Sequence, residues 1–489
     1  MDQQAYKKAV EERIANNAGT TFDEVLVIVG VAVLISVVAD DCAGILRRRL
    51  KWWQSFPVEC AVYVTTLLLT VCDLAPTKVV LPVLVGTAII VRIVGLVTTD
   101  RSTSIPTTAS QSDRKFFTVF RASLMLLTCF SILAVDFAVF PKRHMKTESF
   151  GISLMDTGVG CFVFSAAFAF GSKLANAKDR TGGTFSVKWL GSALPLLVIG
   201  GARFWIIWVT DYQEHVTEYG KHWNFFITLA SLPVLYATGQ KLLGLVPWPR
   251  FMTIPVVQAT ALLVSYQYAL TNLGVSDFIM NDDRSTFFAA NKEGIISTAG
   301  YLALFLFGVE AGLLLGAPVP RTFRAKPTGK KEGKEEWITL SPEQTEQLLR
   351  HKRTTQGLGA TTLSMMLYGL TLAIDLFVQP SSRRMCNAAY VSFILCLCIG
   401  ALGLLLLSGV VLPACRPSGD EAGLAAAVNA NQFAVFLCAN LSTGAINLSM
   451  QTIFQPTEVA CIVIGGYLFW VCMLASFAFD GLHWRLKVW

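Results

Sequence analysis

The chain has 489 residues, of which 53% are hydrophobic and only 15% are charged, and its formal net charge is +7 at pH 7. Apolar runs of about twenty residues recur along its length, which excludes a water-soluble globular protein and predicts an all-α polytopic integral membrane protein. The basic residues concentrate in short loops between these runs, so the positive charge reflects membrane topology and not a nucleic-acid-binding face. Most of the twelve cysteines lie inside the runs and are expected to pack as small hydrophobic side chains.

In chain order, the apolar runs predict about thirteen transmembrane helices, because about twenty residues cross the hydrocarbon core of a bilayer. A polar stretch precedes the first run and no small-residue cleavage site follows it, so this run is expected to be a retained helix and not a signal peptide. The predicted spans are residues 24–41, 57–73, 79–98, 116–139, 152–171, 189–208, 223–240, 251–271, 294–316, 358–378, 388–413, 430–450 and 457–478.

The distribution of basic residues orients the spans. Most of the 40 Lys and Arg residues lie in alternate loops, among them 42–56, 172–188 and 317–357. The positive-inside rule places these loops in the cytosol, with the N-terminus lumenal and the C-terminus cytosolic. Residues 318–356 form a long polar insertion rich in Lys, Gly and Glu, which we expect to be a flexible cytosolic loop within a single membrane-embedded domain over residues 1–489.

Four polar clusters fall on the predicted lumenal side, where topology does not explain their charge: residues 132–160, 211–226, 282–298 and 380–390. An ionised group inside the bilayer costs about 3 kcal/mol, so Asp136 and Asp156 are expected to be paired or to face a wet cavity. The turn around Pro141 can return Lys146 towards Asp136, which predicts an ion pair. These clusters are candidate sites, although a purely structural ion pair is an alternative interpretation.

Several neighbouring polar residues also allow a structural interpretation. His144 is expected to be a solvated loop histidine, and Lys142 with Arg143 suits lipid headgroup contacts. The spacing of His215 and His222 is too loose to predict a metal pair, and no metal site is expected. Arg383 and Arg384 can hold a phosphate or a lipid headgroup. The sequons at Asn440 and Asn447 lie within a span, where these side chains are expected to form interhelical hydrogen bonds.

Five stretches resemble a known family. They are AVDFAVFPKRHMKTESFGISLMDTGVGCFVF (134–164), YQEHVTEYGKHWNFF (212–226), NKEGIISTAGY (291–301), SRRMCN (382–387) and NLSTGAINL (440–448). Together they are similar to the glycosylphosphatidylinositol (GPI) inositol acyltransferases, the PIG-W or GPI-anchored wall transfer family. The resemblance runs from about residue 115 to the C-terminus and implies a multi-pass enzyme of the endoplasmic reticulum membrane.

The resemblance implies transfer of a fatty acyl chain, usually palmitoyl, from acyl-coenzyme A (acyl-CoA) to the inositol 2-hydroxyl of glucosaminyl-phosphatidylinositol in GPI-anchor biosynthesis. It implies Asp136 and Lys146 as the catalytic pair; His144 departs from the pattern of relatives and receives no catalytic role. We expect Asp136 to accept the hydroxyl proton while Lys146 orients it and stabilises the developing oxyanion. No cofactor is expected beyond acyl-CoA as co-substrate, and no obligate protein partner is implied.

Substrate contacts follow from this interpretation. The cationic candidates for phosphate groups are Lys142, Arg143, Arg383 and Arg384. The candidates for sugar and inositol hydroxyls are Glu214, Glu218, Asn291 and Glu293. His215 and His222 are the reserve bases, because an unperturbed histidine suits proton transfer at neutral pH. The alternative functions are an ion-coupled secondary transporter, which often shows two related halves that this sequence lacks, and a non-catalytic membrane scaffold.

Overall fold

A computed structural model describes residues 6, 9, 11–13, 15–47, 49–98, 115–176, 194–201, 218–245, 249–281, 283–317, 322–325, 336–411 and 423–485. Their helices are α1 (Phe22–Leu46), α2 (Trp52–Val71), α3 (Thr77–Thr98), α4 (Lys115–Ala134), α5 (Leu154–Asn176), α6 (Phe225–Gly244), α7 (Pro255–Asn272), α8 (Val275–Met280), α9 (Phe287–Ala290), α10 (Lys292–Leu315), α11 (Pro342–Phe377), α12 (Ala388–Val411), α13 (Leu424–Ala430), α14 (Gln432–Ser449) and α15 (Thr457–Ser476). Strands β1 (Thr322–Ala325) and β2 (Glu336–Thr339) pair antiparallel.

Among the described helices, nine are long and apolar enough to cross a membrane, and α13 with α14, bent by 92° at their junction, would make a tenth. Each predicted span coincides with a helix except 189–208, of which only the helical residues 194–201 are described. The prediction of an all-α polytopic membrane protein is confirmed. The count of thirteen spans and their orientation stay predictions.

The outer surface of the helices is apolar. Val97 in α3 is 80% exposed and Leu376 in α11 is 75% exposed. Such side chains suit contact with lipid, where the helices satisfy their own backbone polar groups. Eleven cysteines within the described ranges are free and most of them are buried, as predicted for small hydrophobic residues.

Helices α5 and α10 pack with their backbones close together. A side-chain carbon added to Gly312 would lie 2.3 Å from the carbonyl oxygen of Phe168, and one added to Gly171 would lie 2.1 Å from that of Val309. Small residues allow this close approach between membrane helices. Because both helices begin in predicted lumenal loops, their packing fixes the relative positions of two of the polar clusters.

Helix α11 differs from its predicted span of 358–378. It begins at Pro342, where the Ser341 hydroxyl accepts a hydrogen bond from the Gln344 amide and the Gln344 side chain accepts one from the Ser341 amide. This capping box is a strong signal for a helix start. The flexible loop predicted over 318–356 is therefore wrong for residues 342–356, which belong to α11, and the β1–β2 hairpin occupies part of the remainder.

Replacing Gly312 by leucine should destabilise the protein, because the added side chain has no space against α5. We expect a loss of about 1–3 kcal/mol or more and a lower thermal unfolding midpoint in detergent. Gly369→Leu on α11 is the matched control, since nothing lies within 4 Å of a carbon added there. Equal midpoints for the two variants would contradict close packing of α5 and α10.

Candidate active site

The described parts of the four polar clusters contact one another at one end of the helices, and we call them together the loop layer. The amide of Gly151 donates to the carbonyl of Ser381 at 2.8 Å, which joins the first cluster to the fourth. The amide of Gly294 donates to the carbonyl of Tyr219 at 3.1 Å, which joins the third to the second. Ion pairs of Arg383 with Glu218 and of Arg384 with Glu293 connect the fourth cluster to the second and the third. The four clusters that the sequence places on one side of the membrane are therefore in direct contact in their described parts.

Asp156, in the first turn of α5, is the buried centre of the loop layer. Its Oδ1 accepts a hydrogen bond from Nε of Arg383 at 2.7 Å. Its Oδ2 accepts hydrogen bonds from the hydroxyls of Thr147 at 2.9 Å and Ser153 at 2.8 Å. The expectation that Asp156 is paired is confirmed, and the pair ties the loop before α5 to the loop before α12.

Glu218 extends this pair to Lys146. Nζ of Lys146 donates to Oε1 of Glu218 at 2.7 Å, and the same oxygen lies 3.7 Å from Nη2 of Arg383. Burial lowers the pKa of Arg383, but the charges of Glu218 and Asp156 more than offset this effect and raise it above its ordinary value. The Lys146 side chain is 42% exposed, so it is the member of this network best placed to meet a substrate.

Asp136 lies half-buried in the turn after α4, which ends at Ala134 and not at the predicted residue 139. The Asp136 amide donates to the carbonyl of Leu133, a tightened turn that ends the helix. Asn447 of α14 donates its side-chain amide to Oδ2 of Asp136 at 2.8 Å. Burial raises the pKa of Asp136, whereas the hydrogen bond from Asn447 and the charge of Arg13 oppose this rise. The carboxylate is therefore a stronger base than a solvated aspartate.

The predicted ion pair between Asp136 and Lys146 is wrong. Lys146 pairs with Glu218, and no contact within 4.0 Å joins it to Asp136, both side chains being described. A 3₁₀ turn at Lys142–His144 and the extended residues after it carry Lys146 to the second polar cluster. The acid nearest in sequence is thus not the acid nearest in space. The catalytic roles of the two residues stay predictions.

Three predicted substrate contacts are satisfied within the protein. The buried carboxylate of Glu293 accepts hydrogen bonds from Arg284 at 2.6 Å and from Arg384 at 2.7 Å. The buried Asn291 side chain accepts a hydrogen bond from the backbone amide of His222 at 2.7 Å. These contacts join the second, third and fourth clusters. Their immediate role is to hold the loops together.

Other predicted contacts lie nearer the surface. The side chains of Lys142 and His222 are exposed. Arg143 is partly exposed and pairs with Glu24 at the start of α1, at 2.9 Å; hydrogen bonding to Glu24 raises the pKa of this guanidinium. Two further predicted contacts, Glu214 and His215, lie outside the described residues.

Two predictions about single side chains are wrong. His144 is buried and not solvated, and its Nδ1 lies 3.1 Å from the carbonyl oxygen of Val71. Asn440 donates to a carbonyl of its own helix and not to a neighbouring one. Asn447 does bond to another part of the chain, through Asp136. A polar residue on a membrane helix can use its own turn, which sequence does not reveal.

The N-terminal segment is a part of the site that the sequence patterns do not indicate. Nη2 of Arg13 donates to the carbonyls of Phe137 and Phe140, both at 2.6 Å. The side-chain amide of Asn17 donates to the carbonyl of Lys146 at 3.2 Å. Isolated Arg and Asn residues in a polar tail give no sequence signal of such contacts.

A second charged cluster lies at the other end of the helices. Asp41 pairs with Arg92 at 2.6 Å and Asp40 pairs with Lys115 at 2.7 Å, and all four residues line a small cavity. Asp41 is about 25 Å along α1 from Glu24, which contacts the loop layer, so the two clusters are separate. Within the described ranges, no group of three or more His, Cys, Asp or Glu side chains is arranged to hold a metal ion.

Comparison with known proteins identifies the family. The family model described as GWT1 matches residues 6–478 of the chain. The chain belongs to the GWT1 family. The GPI-anchored wall transfer protein 1 of Gibberella zeae is 31% identical over 95% of each chain. The phosphatidylinositol-glycan biosynthesis class W protein of Dictyostelium discoideum is 30% identical over 76% of this chain and 75% of its own, and the Candida albicans GPI-anchored wall transfer protein 1 is 32% identical over 74% of each.

The GWT1 match confirms the resemblance drawn from the loop sequences and extends it to the N-terminal segment. In this member of the family, the loop layer presents a desolvated carboxyl group, Asp136, and a partly exposed ammonium group, Lys146. A carboxylate of raised pKa suits proton acceptance, and an ammonium group can stabilise negative charge on a reacting oxygen.

Replacing Arg383 by methionine should destabilise the protein strongly, because it leaves the buried Asp156 carboxylate without its cation. Breaking a buried pair in this way costs about 3–5 kcal/mol, which a thermal unfolding midpoint would report. Arg350→Met is the control, since the Arg350–Glu346 pair has side chains 54% and 65% exposed and contributes less than about 1 kcal/mol. If the two variants were equally stable, Asp156 would not depend on Arg383.

Proposed function

We propose that this GWT1-family protein is an acyltransferase of the endoplasmic reticulum membrane. It moves a fatty acyl chain, palmitoyl, from acyl-CoA to the inositol 2-hydroxyl of glucosaminyl-phosphatidylinositol. The names of the relatives, which refer to phosphatidylinositol-glycan biosynthesis and GPI-anchored wall transfer, support this activity. The observation that carries the proposal is the half-buried Asp136 in the loop layer, whose pKa is raised by burial.

Acyl transfer to an alcohol needs a base, stabilisation of an oxyanion and exclusion of water. Asp136 removes the proton of the inositol hydroxyl as its oxygen attacks the thioester carbonyl. The partly exposed Lys146 stabilises the negative charge on the carbonyl oxygen. When the intermediate collapses, the C–S bond breaks, and the coenzyme A thiolate leaves and takes up the proton held by Asp136. This sequence needs no covalent acyl-enzyme.

We assign the remaining residues to two proposed roles according to their exposure. Lys142 is exposed and Arg143 partly exposed, so they are proposed to contact substrate phosphates. His222, also exposed, is proposed to contact the glycan and is the reserve base. A second group is proposed to hold the loop layer in shape: the buried residues Asn291, Glu293 and Arg383, and the partly buried Arg384.

The GWT1 family match favours an enzyme over an ion-coupled transporter, because the names of the relatives cited above refer to biosynthesis and wall transfer. The transporter alternative also makes a different experimental prediction. Reconstituted vesicles would move an unchanged substrate across the membrane, whereas an acyltransferase converts labelled acyl-CoA and the glycolipid into a labelled ester.

Asp136→Asn and Lys146→Ala should each lower transfer of labelled palmitoyl groups from palmitoyl-CoA to a glucosaminyl-phosphatidylinositol analogue by at least about 100-fold. This is the lower end of the contribution of positioned proton transfer. Glu148→Gln, an exposed carboxylate of the same loop, is the matched control and should transfer normally. Normal turnover by the folded Asp136→Asn and Lys146→Ala proteins would remove both residues from the mechanism.

The exposed face of α14 provides a second test. Asn440, Gly444 and Asn447 lie along this face at helical spacing, and Asn447 contacts Asp136. We propose that a substrate lies along this face when it reaches the carboxylate. A carbon added to Gly444 would meet nothing within 4 Å, so a larger side chain there would disturb a bound substrate and not the fold.

Gly444→Leu should therefore fold normally and lower kcat/KM by about tenfold or more, corresponding to about 1.4 kcal/mol or more of lost transition-state binding. Gly466→Leu on the neighbouring α15 is the control, because Gly466 is also exposed and has nothing within 4 Å of an added carbon. Unchanged kcat/KM for Gly444→Leu would show that no substrate uses this face.

A further inference from the structure

Residues 11–13 and 15–20 lie along the loop that carries both proposed catalytic residues. Arg13 holds the carbonyls of Phe137 and Phe140, which follow Asp136 in its turn. Asn17 holds the carbonyl of Lys146, and the amide of Thr20 donates to the carbonyl of Ile152 at 2.7 Å. These contacts are spaced along the whole loop, so the N-terminal segment fixes its conformation.

Arg13 also supplies positive charge near Asp136. The groups that act on the Asp136 carboxyl are the guanidinium of Arg13, from the N-terminal segment, and the uncharged amide of Asn447, from α14. Lys146 is paired with Glu218 instead. Nη1 of Arg13 is buried and makes no hydrogen bond, while Nη2 makes two to neutral carbonyls. Among the residues that the structure describes, no carboxylate makes a direct contact with Arg13.

We propose that Arg13 is a positioning residue for Asp136 in the acyl transfer proposed above: it fixes the turn that bears the carboxylate and provides the positive charge that the sequence had assigned to Lys146. The role rests on the proposed function, since it concerns the base of that reaction. The geometry separates two tasks. Arg13 keeps Asp136 ionised despite burial, and Lys146 is left to act on the carbonyl oxygen.

The pH dependence of kcat/KM tests this role, because it reports the ionisation of the essential base in the free enzyme. Removing a nearby cation raises the pKa of a carboxylate. At a given acidic pH, less of the base is then ionised, so the acid limb of the profile moves to higher pH. We expect this displacement in Arg13→Gln, together with a fall in kcat of about 10- to 100-fold from the misplaced carboxylate.

Two variants separate charge from packing. Arg13→Lys keeps the charge, and its acid limb should stay at the wild-type position while kcat falls less than in Arg13→Gln. Asn17→Ala loses hydrogen bonds to the same loop but no charge, so kcat should fall with an unmoved acid limb. The assays use the full-length protein in detergent or nanodiscs, with size-exclusion and thermal unfolding profiles to show that each variant is folded.

An acid limb of Arg13→Gln at the wild-type pH would overturn the proposal, even if kcat fell, because that pattern belongs to a purely structural residue. If Arg13→Gln does not fold, Arg13→Lys decides: transfer with a wild-type limb supports the role, and a displaced limb or complete loss of transfer overturns it. Absence of acyl transfer by the wild-type protein would instead refute the proposed function, so the two failures are distinguishable.

Discussion

The buried carboxylate of Asp156 is stabilised by three side chains from two separate loops of the chain. Arg383 comes from the loop before α12, Thr147 from the loop after the 3₁₀ turn, and Ser153 from the residues just before α5. Removing one partner would leave a charged group uncompensated in a medium that solvates it poorly. The loops therefore cannot separate independently. Arg383 also lies 3.7 Å from Glu218, which is the partner of Lys146. The position of Arg383 next to Asp156 therefore also helps to fix the partner of Lys146.

This network keeps the proposed acid–base group and the proposed cation in different electrostatic surroundings. A carboxylate in direct contact with an ammonium group is a weak base, because the cation stabilises its ionised form. Asp136 instead has one neutral hydrogen-bond donor, a more distant guanidinium and partial burial, which leaves its pKa raised. Lys146 is balanced by Glu218. A substrate that meets both groups would find a base and a positive charge that do not neutralise each other.

Sequence patterns predict local structure well and partner choice poorly. The apolar runs gave the helices, and excess polarity on one side of the membrane located the loop layer, because both depend on the solvation of each residue by lipid or water. The pairing of Lys146 with Glu218 depends on how distant loops meet, as do the burial of His144 and the contacts of Arg13. The sequence does contain a signal for the early start of α11, the capping box at Ser341 and Gln344. The surrounding Lys, Gly and Glu residues instead favoured the prediction of a flexible loop.

The tie between the N-terminal segment and the loop depends on two glycines. Gly19 and Gly151 have positive φ angles of 83° and 106°. A side-chain carbon on Gly19 would lie 2.2 Å from the carbonyl oxygen of Ile152, and one on Gly151 would lie 2.1 Å from that of Ala18. Only glycine allows both the backbone conformation and this approach. Arg13 and Asn17 lie just before Gly19 in the chain. The close approach at the two glycines therefore holds these side chains next to the loop that carries Asp136 and Lys146.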